Sequence, residues 1–176
     1  MRVRLTAYTE DWARMFREEA GFLAAIYGGV FVRYEHFGST SVPGMMAKPV
    51  IDMMAIVTDL SEVEPYDETM RALGYDVAGE WGIPGRRLLR KGGDERTHHI
   101  HFYASDSPQI HRHLVFRDYL LRHPEEAARY SRFKEELSRR YEMTDTYSPA
   151  KKAFVSEMEQ LALIWHASRG GGGSGD

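Results

Sequence analysis

The chain has 176 residues, 43% of them hydrophobic, and its 23 Lys and Arg residues against 26 Asp and Glu residues give a formal charge of −3. The length and apolar content fit one domain with an ordinary core, and the charge excludes the broad positive surface that bulk nucleic-acid binding requires. Because the chain has no cysteine, disulfides, thiolate metal sites and cysteine nucleophiles are excluded as well.

The first part of the chain predicts one helix followed by two strands. Thr9 can cap a helix in which apolar residues recur at near-helical spacing up to the break at Gly28. β-Branched and aromatic residues at 30–36 predict a strand. Residues 50–57 form an apolar run short enough for a buried strand, and Asp52 is its single carboxylate.

The middle of the chain predicts a crossover helix and a hairpin. Ser61, with a glutamate three residues later in the capping-box position, opens a helix that stops at Gly74. Residues 74–79 begin a return strand. Residues 87–90 and 99–103 predict two strands of the same sheet, joined by a glycine-rich turn.

The second half of the chain is predicted to be helical. Three helices are expected, and they begin at Ser107-Pro108, at Pro124 and at Ser148-Pro149, the last ending near Ala167. The predicted class is α+β, with a mixed sheet in residues 1–105 and a helical bundle in residues 106–169 of a single domain. The glycine- and serine-rich residues 170–176 are predicted to be a flexible tail.

The chain contains no predicted membrane-spanning or signal segment. No apolar run approaches the roughly 20 residues of a span, and the start of the chain reaches polar residues before an apolar signal core can form. We therefore expect a soluble, cytoplasmic protein that does not bind a membrane.

A Gly-Ser-Thr turn after the first predicted strand is the first candidate site. Gly38, Ser39 and Thr40 leave the strand for a helix start, where backbone N–H groups and a hydroxyl can bind phosphate. A tight turn that merely needs glycine is the structural alternative. Lys48 follows as a candidate phosphate-binding and catalytic residue. Asp52 lies on a buried strand, where an unpaired charge is costly, so it either holds a metal and acts in catalysis or pairs with a basic side chain.

The run His98-His99-Ile100-His101 is the second candidate site. Strand alternation places His99 and His101 on one face, and two imidazoles can share a metal ion if another ligand completes the set. Asp52 and His36 are the candidates to complete it. Because the chain has eight histidines, a chance His-x-His pair with a purely structural role is the alternative.

Basic residues form a third group. Arg87 and Arg90 are the favoured phosphate ligands of the hairpin, since guanidinium binds phosphate bidentately, and their opposite parity lets only one face the pocket. A charged edge that protects the sheet from pairing with other chains is the alternative. Lys151, four residues after Tyr147 at the start of the last predicted helix, is a further catalytic candidate.

Several segments of the chain resemble the GrpB family, also called UPF0157, from about residue 8 to residue 165. They are EHFGSTSVPGMMAKPVIDMM at 35–54, GIPGRRLLRK at 82–91, RTHHIHFY at 96–103, HLVFRDYLLRHPE at 113–125 and YSPAKKAF at 147–154. The family looks like the nucleotidyltransferase superfamily of polymerase-β type, in which a Gly-Ser pair begins a helix and carboxylates on the next strand hold divalent metal. The resemblance implies a metal-dependent phosphoryl or nucleotidyl transfer or hydrolysis on a nucleotide or phosphorylated small molecule.

The chain departs from the superfamily pattern at one ligand position. The usual Asp-x-Asp pattern aligns Asp52 with the second carboxylate and Val50 with the first, and loss of a bridging carboxylate weakens a two-metal arrangement. His99 and His101 stand where the superfamily often has a third carboxylate. Imidazole ligands favour zinc, nickel, iron or manganese over magnesium, so the implied cofactor is one divalent ion.

Two other functions remain open from the sequence. Val50 supports a noncatalytic module that kept the phosphate-binding turn and binds a nucleotide or phosphate at a degenerate active site. The His-x-His pair with Asp52 also fits a mononuclear metal-binding protein or hydrolase unrelated to nucleotides.

Overall fold

The computed structural model describes residues 2–170 of the chain. These residues fold into a five-stranded sheet with helices on both faces. The helices are α1 (Asp11–Tyr27), α2 (Asp67–Ala72), α3 (Pro108–Arg122), α4 (Pro124–Arg140) and α5 (Thr144–Gly170). The strands are β1 (Phe31–Phe37), β2 (Ile51–Val57), β3 (Asp76–Gly79), β4 (Arg86–Lys91) and β5 (His98–Ala104). The predicted α+β class is confirmed.

The sheet is mixed, with the strand order β1-β2-β5-β4-β3. Strands β2 and β5 are parallel, and the other neighbouring pairs, including the predicted hairpin of β4 and β5, are antiparallel. The register sets Asp52 of β2 opposite His99 of β5 and opposite Phe37 of β1. Because opposite residues project from the same face, this pairing alone brings the two sequence candidates together.

The two faces of the sheet pack against different helices. Met53, Ala55 and Phe102 point to one face and pack with Leu23 of α1 and Met70 of α2. The alternate residues point to the other face, where Phe37, Met54, Ile56 and Tyr103 pack with Ile110 of α3. A separate core joins α3, α4 and α5 to the loop between β1 and β2. The helical half of the chain therefore covers the face that carries Asp52.

The predicted helix from Ser61 to Gly74 is wrong in its first half. Residues 60–62 and 64–66 form two single turns of 3-10 helix, and the Asp59 carboxylate caps only the first of them. The α-helix begins only at Asp67. Pro65 explains the difference, because its ring nitrogen has no hydrogen to donate to a preceding carbonyl.

The predicted start of the last helix at Ser148-Pro149 is also wrong. Helix α5 begins at Thr144, and the backbone N–H groups of Thr146 and Tyr147 donate to the Met143 carbonyl, so Pro149 lies inside the helix. The helix extends to Gly170, and the rest of the predicted tail lies outside the described residues. Within residues 2–170, no helix is both long and apolar enough to cross a membrane.

Candidate functional site

The Gly-Ser turn lies directly against Asp52. Strand β1 ends at Phe37, and Ser39–Ser41 form one turn of 3-10 helix behind Gly38, which has φ 72° and ψ −174°. A Cβ atom at Gly38 would lie 3.0 Å from Oδ2 of Asp52. Glycine is thus required twice here, by a backbone conformation that is essentially restricted to glycine and by the close approach of the carboxylate.

Asp52, His99 and His101 converge as the register predicts. Oδ1 of Asp52 lies 3.1 Å from Nε2 of His101 and 3.6 Å from Nδ1 of His99. Burial acts to raise the pKa of Asp52, but the hydrogen bond from His101 and the nearby His99 imidazole outweigh it and hold that pKa well below its ordinary value. Burial lowers the pKa of His101, against the opposing effect of Asp52. One ligand atom from each of the three residues lies within 4.8 Å of the others.

His36 does not join this group. It pairs with Met53, and so projects from the face of the sheet opposite Asp52. Its Nε2 lies 2.9 Å from Oγ1 of Thr40, and its ring stacks on Phe16 at 5.1 Å between centroids. Burial lowers the pKa of His36 to about 4. These contacts stabilise the turn from the face of the sheet opposite Asp52, and they do not bring His36 to the candidate metal ligands.

Three lysines converge on the other side of the turn. Lys48, Lys134 and Lys151 line a cavity of about 140 Å³ together with Ser39, Thr40, Val50, Asp52, His99 and Tyr147. Tyr147, one of these lining residues, is fully buried, and its hydroxyl has no hydrogen-bond partner among the described residues. The lining of this cavity therefore combines three amines with the Asp52 carboxylate and the His99 imidazole.

Lys134 is the residue of this cavity that the sequence analysis missed. Its Nζ donates to Oγ of Ser39 at 2.9 Å and to the Met46 carbonyl, and the residue is only 2% exposed. Burial first, and the nearby Lys151 and Lys48 second, lower the pKa of Lys134 to about 7. A signal was present in the sequence, because Lys134 falls at helical spacing from Tyr130 and Leu137 on the buried face of α4.

Lys151 stands between this cavity and a second one. Burial and Lys48 lower the pKa of Lys151 to about 8, and Asp52 opposes the shift. The second cavity, of about 250 Å³, shares Ser39, Asp52 and Lys151 with the first. The rest of its lining is mostly aromatic and apolar, and comprises Phe37, Gly38, His101, His113, Phe116, Arg117, Leu120, Tyr130, Val155 and Glu159. The first cavity is thus lined by three cationic side chains, whereas the lining of the second is mostly aromatic and apolar.

The two predicted hairpin arginines lie outside both cavities. Nε of Arg87 donates to Glu64 at 2.6 Å, and Arg90 pairs with Asp76 and lies over the Trp81 ring at 4.4 Å. Arg86 is the hairpin arginine that reaches the site, since its Nη1 lies 3.4 Å from Nδ1 of His101. The lining residues of the two cavities therefore place the lysines, and not Arg87 or Arg90, around the candidate anion position.

The donor set fits one divalent ion and not two. Asp52 and His99 are each about one third exposed toward the lysine cavity, at 34% and 33% for the side chains, and they offer the oxygen and nitrogen ligands that zinc or manganese accepts. Val50 also lines this cavity, whereas Met54, two residues beyond Asp52 on the same face, is fully buried. No second carboxylate is thus supplied beside Asp52 on β2.

Comparison with known proteins supports one family. The family described as GrpB protein matches residues 2–161. The UPF0157 protein YqkA of Bacillus subtilis is 41% identical over 169 residues, covering 96% of this chain and 49% of YqkA, so the chain spans about half of that relative. The crystal structure of GrpB from Enterococcus faecalis is 40% identical with a TM-score of 0.88, covering 93% of this chain and 99% of that one.

A more distant likeness carries no conclusion about this chain. The structure of Cid1 in complex with its short product ApU covers 64% of this chain and 37% of Cid1, with a TM-score of 0.45 and 12% identity. Sequence identity at this level says nothing about shared chemistry. The family match and the Enterococcus structure, by contrast, each span almost the whole described chain. The chain therefore belongs to the GrpB family.

Proposed function

We propose that this protein is a metal-dependent enzyme that transfers or hydrolyses a phosphoryl or nucleotidyl group of a nucleotide or phosphorylated small molecule. The carrying observation is the lysine cavity beside Asp52 and His99, which is lined by three lysines and by three residues with hydroxyl groups. Phosphate carries several negative charges and many acceptor oxygens, so it matches this set of donors. One of these hydroxyl residues is Ser39 of the Gly38-Ser39 turn.

The residues take distinct roles in this proposal. Ser39, Lys48 and Lys134 bind phosphate oxygens, and Lys151, which lines both cavities, neutralises charge where the reacting phosphorus lies. Asp52 and His99 hold the ion, which would polarise a phosphoryl oxygen or lower the pKa of a bound water. Most of the remaining acceleration comes from positioning, as is usual for phosphoryl transfer.

The second cavity accommodates the rest of the substrate. Aromatic rings of Phe37, His113 and Phe116 line it, so a planar or apolar group fits it better than a second phosphate. Burial, and then the charge of Arg112, lower the pKa of His113 to about 3, so its ring is neutral at physiological pH. A substrate with an anionic end and a ring matches the pair of cavities.

A turnover screen tests the proposal. The protein is incubated with each nucleoside triphosphate and Mg²⁺, Mn²⁺ or Zn²⁺, and pyrophosphate, orthophosphate and monophosphate are measured. We expect release with at least one ion, a fall of about 10²-fold or more in Asp52→Asn, and a clear fall in Lys151→Ala. Lys152→Ala, on an exposed neighbour, is the matched control and should retain activity. Absence of product with every ion contradicts an enzymatic role for these substrates.

A noncatalytic phosphate- or nucleotide-binding module is the second candidate, and Val50 favours it. Val50 lies at the wall of the lysine cavity, where the superfamily pattern has a carboxylate. Calorimetry separates the two candidates, because nucleotide binding without product formation supports the module. Appearance of transfer in Val50→Asp would identify a decayed enzyme, whereas tight metal binding without nucleotide binding would favour a mononuclear metal protein.

A further inference from the structure

Arg86 is a buried cation that has no carboxylate among its hydrogen-bond partners in the described residues. The residue is 6% exposed, its Nε donates to the Glu80 carbonyl at 3.2 Å and its Nη2 to the Trp81 carbonyl at 2.9 Å. Its third partner is Nδ1 of His101, at 3.4 Å from Nη1. A buried guanidinium is costly unless its surroundings satisfy it, so this contact needs an explanation in the candidate site beside it.

The contact determines which nitrogen of His101 carries the hydrogen. A guanidinium has five donors and no acceptor, so Nδ1 of His101 must be the unprotonated nitrogen that accepts from Arg86. In a neutral ring the hydrogen then lies on Nε2, which is 3.1 Å from Oδ1 of Asp52 and donates to it. A doubly protonated ring would place an N–H of His101 against the N–H of Arg86, so the same contact requires the neutral ring. Both contacts of the ring are satisfied by this one tautomer.

We infer that Arg86 fixes His101 as the Nε2–H tautomer, so that His101 positions Asp52 by a hydrogen bond and does not ligate the metal ion. A histidine that binds metal through Nε2 normally donates its Nδ1–H to an acceptor, and here a donor stands at that place. The side chain of His101 is 10% exposed, against about one third for Asp52 and His99. This inference rests on the proposed function only where it concerns the ion.

The consequence is a metal site with two protein ligands, Asp52 and His99. An ion held in this way keeps coordination positions for water and for phosphate oxygens, as metal ions that bind together with a nucleotide do. His101 does not bind the ion, and its Nε2–H donates to the Asp52 carboxylate and so orients it. It is thus a positioning residue for Asp52.

Nitrogen NMR of the metal-free protein tests the tautomer directly. Long-range proton–nitrogen correlation spectra distinguish Nε2–H from Nδ1–H imidazoles, and His101→Gln identifies the signals of His101. We expect the Nε2–H form in the free protein and after addition of Zn²⁺. In Arg86→Met, Zn²⁺ should convert His101 to the Nδ1–H form, because its Nε2 lone pair becomes available. Arg87→Met, which removes the ion pair with Glu64 and one hydrogen bond to the Arg86 carbonyl but leaves the Arg86 side chain in place, is the control.

Metal titration of matched glutamine variants tests the ligand set. A glutamine amide can donate where Nε2–H does, but it is a poor metal ligand. His101→Gln should therefore bind Mn²⁺ and Zn²⁺ within about threefold of the unmodified protein, whereas His99→Gln should bind them at least ~10-fold more weakly. Detection of the Nδ1–H tautomer in the unmodified protein, or equal losses in the two glutamine variants, overturns the inference. Failure of every ion to bind contradicts the metal part of the proposed function, and the NMR result still decides the tautomer.

Discussion

Gly38 and Asp52 approach so closely that a methyl group at position 38 would contact the carboxylate, and this contact gives a prediction at the scale of one residue. We expect Gly38→Ala to lower the free energy of unfolding by about 1–3 kcal/mol, because its backbone conformation is restricted to glycine. The same change should also displace the Asp52 carboxylate, and so weaken Mn²⁺ or Zn²⁺ binding measured by calorimetry.

Gly44→Ala is the control for this prediction. Gly44 has φ 81°, and a Cβ atom there would have no heavy atom within 4 Å. It should lose about 1–2 kcal/mol of stability through backbone strain and keep its metal affinity. Equal metal affinities in the two variants would show that the approach of Gly38 to Asp52 has no role in the site.

The lysine cavity predicts a pH dependence of anion binding. Because burial holds the pKa of Lys134 near 7 and that of Lys151 near 8, both amines lose their protons in the free protein as pH rises from 7 to 9. A bound anion stabilises the charged amines and raises their pKa, so binding takes up protons and its affinity falls as pH rises. Sulfate is a suitable probe, since its own charge is constant over this range.

Calorimetric titration with sulfate at pH 7, 8 and 9 measures this effect. We expect affinity to fall about 10-fold or more over this range, and to be weaker and less dependent on pH in Lys134→Met. Lys152→Met leaves the cavity intact and should follow the unmodified protein. A sulfate affinity independent of pH would mean that neither amine titrates in contact with the anion.

At the scale of elements, Pro149 inside α5 gives a prediction that also tests where the helix begins. Proline in a helix interior lacks the N–H that would bond four residues back, and its ring crowds that carbonyl. With α5 beginning at Thr144, Pro149→Ala should raise the free energy of unfolding by about 1–3 kcal/mol in urea denaturation. Ser148→Ala, an exposed neighbour, should change it by less than about 0.5 kcal/mol.

A fall in the free energy of unfolding in Pro149→Ala would instead support a helix that begins at Ser148-Pro149, as the sequence predicts. If the helix began at Pro149, the ring would occupy a favourable first position and its removal would destabilise the protein. The sequence predicts the start at Ser148-Pro149 because a Ser-Pro pair is a strong start signal. Hydrogen bonds to the Met143 carbonyl, which no local pattern announces, place the start at Thr144.

Strands and their faces were predictable, whereas contacts between distant elements were not. Apolar runs located β2, and alternation put His99 and His101 on one face of β5. The parallel register that sets Asp52 opposite His99 depends on packing across the chain. Lys134 was missed for the same reason, since a lysine in a charged helix suggests a solvated face until α4 is seen to pack on the Gly-Ser turn.

At the scale of the whole molecule, the candidate site joins the two halves of the chain. The sheet contributes Asp52 and His99, the turn after β1 contributes Ser39, and the helices contribute Lys134 and Lys151. These helices form their own core with the loop between β1 and β2. A ligand in the lysine cavity therefore contacts both halves at once, and it should stabilise them together.

Hydrogen exchange measures that coupling. Pyrophosphate at about 100 times its Kd stabilises the folded state by ~2.7 kcal/mol, which slows exchange through global unfolding about 100-fold. We expect it to protect amides of Ser39–Ser41, β2 and the first turns of α5, and a nonhydrolysable nucleotide to protect also the part of α3 that lines the second cavity. Lys151→Ala should abolish the protection and Lys152→Ala should retain it. Protection confined to the sheet, or to the helices, would show that the two halves do not share one ligand.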